Sequence, residues 1–333
     1  MEEWMKRVVV APGDGIGPEV IPSALEVLRF FHPEWEYIPV YLGYECWKRT
    51  GDALSQRTLE TLKKADLILF GAITTPPDPK YHSVVLRIRK ELDLYANLRP
   101  VFGEGFDILI VRENTEGLYS GIEWQEKDRA CTLRVVSEAG SRRIARFACG
   151  CAKRRRRHLT IGNKANVLKS DSYFLDICME EAEKAGISID KKYIDSLVLD
   201  VLQHPGRYDV IVTTNIFGDI LSDAAAFLEG GLGMLPSANI GRHQALFEPV
   251  HGSAPDIAGK GLANPIAAIR CVSLLLKYVG EKPSAIEVEK AIQKTIADGI
   301  KTPDLGGTAT TEEVGRAVLS HLASSKKAEG PDL

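Results

Sequence analysis

Two carboxylates four residues apart, Asp219 and Asp223 in Asn215-Ile-Phe-Gly-Asp219-Ile-Leu-Ser-Asp223, follow the apolar run Tyr208-Asp-Val-Ile-Val-Thr-Thr214. A strand-like run that gives way to a helix would stack the two side chains one turn apart on one face, each negative charge close to the other. Such a pair calls for a cation. Hard oxygen donors suit Mg²⁺ or Mn²⁺, which bind through a few carboxylates and keep positions open for substrate oxygens. An isolated Asp-x-x-x-Asp more often faces water, so other residues have to decide.

Arg89, Arg99 and Arg112 stand at three separate element ends. A guanidinium presents a planar fork that pairs bidentately with a carboxylate, so three that converge would clamp a small substrate bearing more than one acid group. Taken singly, each is an ordinary surface arginine. A third feature is the turn Gly13-Asp-Gly-Ile-Gly17, which follows a strand predicted over 7–12 and feeds a helix running to about Phe31. Its glycines at 13, 15 and 17 do not have the Gly-x-Gly-x-x-Gly spacing, and no second strand ending in an acid follows. It reads as a backbone loop beside a ligand, not as a Rossmann fingerprint.

The elements that must position these residues alternate. Helices are expected over 55–64, from Ser83, over 141–153, over 172–185 and from Ser222; strands over 65–71, 107–112, 132–136 and 158–161; and a helix-rich last third from Pro265. Alternating strands and helices imply α/β layers. A chain of 333 residues with 44% hydrophobic and 26% charged content is globular and long enough for two lobes with a cleft between them. Residues 324–331 read as a frayed tail.

Charge and cysteine usage exclude several classes. Lys and Arg total 42 against 45 acids, a net charge of -3, so there is no overall attraction to nucleic acid or anionic membrane. Lys153-Arg-Arg-Arg-Arg157 is a basic run that would suit RNA or another polyanion and make this a binding protein. At a helix end it complements the negative dipole, and it has no aromatic platforms, so a solvated helix end is the simpler reading. The six cysteines form no Cys-x-x-Cys pair and read as free thiols; with no apolar run of membrane-spanning length, a soluble cytoplasmic protein is expected.

Taken together, Pro12-Gly-Asp-Gly-Ile-Gly-Pro-Glu-Val20, Tyr95-Ala-Asn-Leu-Arg-Pro100, Arg112-Glu-Asn-Thr-Glu-Gly-Leu-Tyr119, Asn163-Lys-Ala-Asn-Val-Leu168, the Asp219/Asp223 segment and Glu248-Pro-Val-His-Gly-Ser-Ala-Pro-Asp256 carry a specific resemblance. The chain resembles the β-decarboxylating dehydrogenases of 2-hydroxy acids: the isocitrate, isopropylmalate, homoisocitrate and tartrate/malate enzymes. The likeness runs from Gly13 to about Thr311. It implies a two-domain α/β fold of the isopropylmalate/isocitrate dehydrogenase type with a non-Rossmann nucleotide site. One domain would hold residues 1–94 and 230–333, the other 95–229, with the substrate between them and residues 128–137 in an intersubunit clasp.

The resemblance also implies roles. Arg89, Arg99 and Arg112 would hold the malate moiety, with Asn166 beside it. Asp195, Asp219 and Asp223 would ligate Mg²⁺ or Mn²⁺, and Tyr119 and Lys164 would be the acid/base pair. Lys164 and Asp195 would reach the site from a partner subunit, so the enzyme would be at least a homodimer. Ile16, Thr74, Glu248, His251, Gly252, Ser253, Ala254, Asp256 and Asn264 would line the NAD site. An anionic Asp256 accepting the ribose hydroxyls would repel a 2′-phosphate by about 1 to 4 kcal/mol, which favours NAD over NADP.

In such enzymes the substrate's variable group meets the helix before Arg89, here Ser83-Val-Val-Leu-Arg-Ile-Arg89. Aliphatics at Val85 and Leu86 suit an isopropyl group, whereas Ser83 followed by aliphatics is most similar to homoisocitrate enzymes. Homoisocitrate is therefore the expected substrate, with 3-isopropylmalate, then isocitrate or tartrate/malate, as alternatives. Two departures concern local loops: Asn163 stands where His is common before the lysine, and the connection over 101–106 is short.

Overall fold

The computed structural model describes residues 5–78 and 80–328, and the chain divides into two compact units. The first holds Met1–Ile88, Gly230–Ala238 and His243–Leu333; the second holds Arg89–Glu229 and Asn239–Arg242.

The chain begins in the first unit with β1 (Arg7–Gly13), α1 (Gly17–Phe31), β2 (Glu36–Pro39), α2 (Tyr44–Thr50), α3 (Gln56–Lys63) and β3 (Leu67–Ala72), and α4 (Val84–Glu91) follows, its residues from Arg89 onward belonging to the second unit. β1 pairs in parallel with both β2 and β3. Every residue of β3 is buried, as expected for a parallel strand covered on both faces, whose sequence runs apolar without alternation. In α1, Pro18 sits in the first turn, where a missing N–H costs nothing, and Val20, Ala24, Val27 and Leu28 repeat at helical spacing on the buried face.

In the second unit come β4 (Ala96–Gly103), β5 (Phe106–Glu113), β6 (Glu123–Gln125), β7 (Ala130–Thr132), α5 (Glu138–Lys153), β8 (His158–Asn163), α6 (Lys169–Ala185), β9 (Ser188–Tyr193), α7 (Ile194–Gln203), β10 (Val210–Thr213) and α8 (Asn215–Ala225). Its main sheet runs β4-β5-β10-β8-β9, parallel except for the β4/β5 hairpin. The short connection over 101–106 is that hairpin, with Gly103 opposite Phe106 and Gly105 in the left-handed region. The chain then returns to the first unit, where β11 (Pro236–Ile240) begins before its last two residues fall in the second, and β12 (Ala245–Pro249), α9 (Ile266–Tyr278), α10 (Lys282–Ala297) and α11 (Thr311–Ala328) follow in the first. β12 lies parallel to β3. α9 is buried on nearly every side, from Ile266 through Leu276, and forms the centre of that unit's helical layer.

Several expectations need correction. The strand expected over 132–136 ends at Thr132; Val135 makes a single bridge to Gly117, because the β6/β7 ribbon is short and exposed. The helix expected from Ser222 begins at Asn215 and gives way to a 3-10 turn at Ala226. The tail is helical through Ala328, and residues 329–331 lie outside the described residues. Arg155, Arg156 and Arg157 of the basic run are occupied internally. Arg155 binds Asp209 and Asp107, Arg156 donates to the carbonyls of Gly206 and Tyr208, and Arg157 donates to that of Gly186. All six cysteines are free thiols, and among the described residues no helix is long and apolar enough to cross a membrane.

One ion-pair network joins α5 to α6. Glu181, 5% exposed, accepts from Arg146 and Arg142 at 2.7 Å each, and these hydrogen bonds, Arg146's first, hold its carboxyl down to about 2. A depressed folded-state pKa contributes stability that is complete above the unfolded value and is lost as pH falls toward the folded value. Thermal melting against pH should therefore drop between about pH 5 and about pH 2, and Glu181→Gln should flatten that limb. An unaltered acid limb in the variant would remove Glu181 from the account.

Candidate active site

Three elements of the second unit bring charged side chains together. Arg112 lies near the end of β5, Arg99 lies on the neighbouring strand β4, and α8 carries Asp219 and Asp223. Arg112 is 1% exposed and Arg99 7%, so their charges need partners. Asp219 Oδ1 accepts from Arg112 Nη1 at 2.5 Å and lies 3.1 Å from Arg99 Nη2; Asp223 Oδ1 accepts from Arg99 Nη1 at 2.9 Å. Arg89, on the last turn of α4, is buried, and its charge acts on both Arg112 and Tyr119. The three arginines expected to cluster do so.

The helix reaches this position because Gly218 has no side chain. A Cβ there would lie 2.7 Å from the Cβ and Cγ of Arg112, so α8 lies directly against β5. Burial first, and then the neighbouring charge of Arg99, push the Arg112 guanidinium down to about 9, still cationic at neutral pH. The Asp223 carboxyl is raised, first by burial and then by the like charge of Asp219, against the pull of Arg99. Asp219 and Asp223 present hard carboxylate oxygens one helical turn apart, the donor type that suits a divalent cation. Tyr119 donates from its hydroxyl to Asp219 Oδ2 at 3.2 Å, and burial, with Asp219 adding to it, raises its pKa, so the phenol keeps its proton at neutral pH.

Neutral groups hold the guanidiniums in register. Asn215 Oδ1 accepts from Arg112 Nε at 3.1 Å and from Nη2 at 2.7 Å; Asn97 Oδ1 accepts from Arg99 Nε at 2.9 Å, and Ser222 Oγ accepts from Arg99 Nη1 at 2.7 Å. These residues were not singled out from the sequence, although Asn97 and Arg99 at i and i+2 on one strand necessarily share a face.

Lys164 and Asp195 form a separate pair. Lys164 Nζ donates to Asp195 Oδ1 at 2.7 Å, and the backbone N–H of Lys164 donates to the buried Asp171 at 2.9 Å, which Arg134 also binds. Among the described residues no three His, Cys, Asp or Glu side chains gather as a metal site, so this chain joins Asp219 to Asp223 but not to Asp195. Asn166 is exposed in the turn before α6.

In the first unit, the loops after β1, β3 and β12 converge. Ile16 donates its backbone N–H to Ser253 O at 2.9 Å, and the hydroxyl of Thr74 donates to Ser253 Oγ at 2.7 Å. Asp14, 2% exposed, accepts the backbone N–H groups of Tyr44, Glu45 and Thr74, which fixes two of these loops. Gly15 lies at φ +57, and a Cβ there would meet Ser253 O at 1.9 Å. Ala254 is a non-glycine residue at φ 39, the kind of local strain that clusters at ligand sites. His251 Nδ1 is 3.0 Å from Gly252 O, and burial lowers its pKa, so the ring is neutral; the buried Nε2 has no hydrogen-bond partner. A buried ring nitrogen with a free lone pair suits an N–H donor such as an exocyclic amine of a nucleobase.

The remaining expected residues have defined places. Glu248 is buried on β12, while Asp256 is exposed in the turn after Ala254. Asn264 spends its amide on Asp304 Oδ2 at 2.9 Å and its carbonyl on the Ile266 N–H at 3.0 Å, so it braces the start of α9. Ser83 accepts the Leu86 N–H at 3.4 Å at the start of α4, with Val85 half-buried beyond it.

Comparison with known proteins supplies the family. The pattern described as isocitrate/isopropylmalate dehydrogenase matches residues 7–318. A homoisocitrate dehydrogenase of Methanocaldococcus jannaschii is 45% identical, over 97% of this chain and 99% of its own length. A 3-isopropylmalate dehydrogenase of Archaeoglobus fulgidus is 46% identical, over 96% of this chain and 100% of its own. Among solved structures, an isocitrate dehydrogenase from Methylococcus capsulatus superimposes with a TM-score of 0.91 at 38% identity, covering 96% of this chain and 99% of that one.

The contact between α8 and β5 can be tested directly. Gly218→Ala should lower unfolding stability in urea by about 1 to 3 kcal/mol, the cost of forcing a methyl into a packed contact. Unchanged stability would show that α8 can lift off Arg112 freely.

Proposed function

Because this chain belongs to the isocitrate/isopropylmalate dehydrogenase family, a family of β-decarboxylating dehydrogenases, we propose that it oxidatively decarboxylates a 3-substituted malate with NAD, homoisocitrate first among the candidates. The observation that carries this reading is the buried cluster of Arg89, Arg99 and Arg112 against the Asp219/Asp223 pair. Three guanidiniums exceed two carboxylates, so the site retains positive charge for a polyanionic substrate.

In the proposed reaction the arginines hold the malate carboxylates and fix the hydroxyl-bearing carbon. Lys164, reaching the site from a partner subunit, takes the hydroxyl proton while hydride passes from C2 to the nicotinamide. The resulting 2-oxo acid loses the carboxylate β to its carbonyl as CO₂, and the electron pair left behind takes a proton at carbon from Tyr119. The phenol keeps its proton at neutral pH, so Tyr119 holds that proton until the step that needs it. A Mg²⁺ or Mn²⁺ held by Asp219, Asp223 and the partner subunit's Asp195 would act as a Lewis acid toward the substrate's oxygens.

This assignment requires at least a dimer, consistent with Lys164 and Asp195 pairing with one another in the isolated chain. NAD would lie along the loops of Ile16, Thr74 and residues 251–256, with Asp256 beside the ribose and His251 Nε2 toward the base. Homoisocitrate rests on Ser83 preceding the aliphatics of α4. The alternative, 3-isopropylmalate, is favoured by the half-buried Val85 and Leu86 on the same helix, and relatives carrying both names match along nearly the whole chain.

NAD reduction measured side by side with homoisocitrate, isocitrate, 3-isopropylmalate, tartrate and malate should give the highest kcat/KM for homoisocitrate. A clear preference for 3-isopropylmalate would move the assignment to the alternative, and no turnover with any of the acids would refute the reading. Tyr119→Phe should block overall turnover yet leave reduction of the isolated keto intermediate largely intact. Equal loss of both activities would deny Tyr119 its role as proton donor.

A further inference from the structure

We infer that Asn215 is a positioning residue that sets Arg112 for substrate without neutralising it, and that its being an amide rather than a carboxylate is a requirement of the site. The inference rests on the arginine cluster binding a carboxylate substrate, as proposed above.

Asn215 is 1% exposed and begins α8, one turn before Asp219. Its Oδ1 takes two donors of one guanidinium, Nε at 3.1 Å and Nη2 at 2.7 Å, which fixes the plane of Arg112 and directs Nη1 to Asp219. Its Nδ2 donates to the carbonyl of Glu116 at 3.0 Å, in the loop that continues to Tyr119. All of its hydrogen-bonding atoms are thus engaged, so the amide orientation is determined by the network. One side chain ties together the helix bearing both acidic residues, the strand bearing Arg112 and the loop bearing the phenol.

Charge explains the residue type. An aspartate of the same shape would make the same fork with Arg112, and charge-assisted pairing would grip it harder. That grip would cancel the cation in a buried setting where the ion's charge is the recognition element. Arg99 is held by the same logic, through Asn97 Oδ1 and Ser222 Oγ, both neutral. The carboxylates that do touch the arginines are those of Asp219 and Asp223, the pair whose mutual repulsion a divalent cation would relieve.

The test compares wild-type enzyme with Asn215→Asp and Asn215→Ala, with KM for the 2-hydroxy acid and for NAD, kcat and melting temperature measured for each. Asn215→Asp should raise the acid's KM by about tenfold or more, the scale of one charge-assisted contact, while the KM for NAD stays within about twofold. Asn215→Ala adds no charge and covers the case in which the aspartate variant fails to fold. It should raise the acid's KM by about severalfold through loss of the fork, again with NAD unaffected. An unchanged acid KM in either folded variant, or losses spread equally over both substrates and the melting temperature, would overturn the inference. Absence of turnover in the wild type itself would instead sink the functional reading, so the two failures are distinguishable.

Discussion

Two buried guanidiniums set the terms for the second unit. Arg112 and Arg99 are almost wholly withdrawn from water, and an isolated cation in that setting would cost several kcal/mol. Every element around them answers that cost. α8 supplies Asp219 and Asp223, β4 supplies Asn97, the first residue of α8 supplies Asn215, and Gly218 lets the helix come close enough for these contacts to form. Apolar side chains of similar volume often replace a buried ion pair at no loss of stability, which points to the charges being kept for what they bind.

The division of labour between charged and neutral partners follows from the same constraint. The acids face the arginines through one oxygen each, Asp219 Oδ1 and Asp223 Oδ1, and Asp219 Oδ2 faces the Tyr119 hydroxyl. The amides of Asn97 and Asn215 accept from further N–H groups of these guanidiniums and add no charge. The first unit is built on different terms: its loops are locked to one another through Asp14 and Ser253, and the buried lone pair of His251 suits a hydrogen-bond donor.

Much of this was legible in the sequence where the determining geometry is local. Asp219 and Asp223 at a spacing of four on a helix define a face from the sequence alone, and continuous apolar runs such as the one in β3 declare buried parallel strands. β4 was not foreseen because Asn97 and Arg99 break its apolar pattern, and those same residues are what it delivers to the site. Asn215 was in plain view but silent, since its partner Arg112 lies 103 positions away and only the packing of α8 on β5 joins them. Lys164 and Asp195 carried no signal of their own; the resemblance alone marked them, and in the single chain they satisfy each other. The basic run over 153–157 illustrates the reverse case, a conspicuous charge cluster in which Arg155, Arg156 and Arg157 are absorbed by Asp209 and nearby carbonyls.

On the proposed function, the Asp219/Asp223 pair, opposed to the arginines, works only with a divalent cation among the carboxylates. The most direct measurement is the rate of NAD reduction by chelator-treated, ion-free protein with the preferred acid, before and after Mg²⁺ or Mn²⁺ is returned. Turnover should disappear on chelation and return with either ion. Ion-free protein that oxidises the acid as fast as the untreated preparation would contradict it.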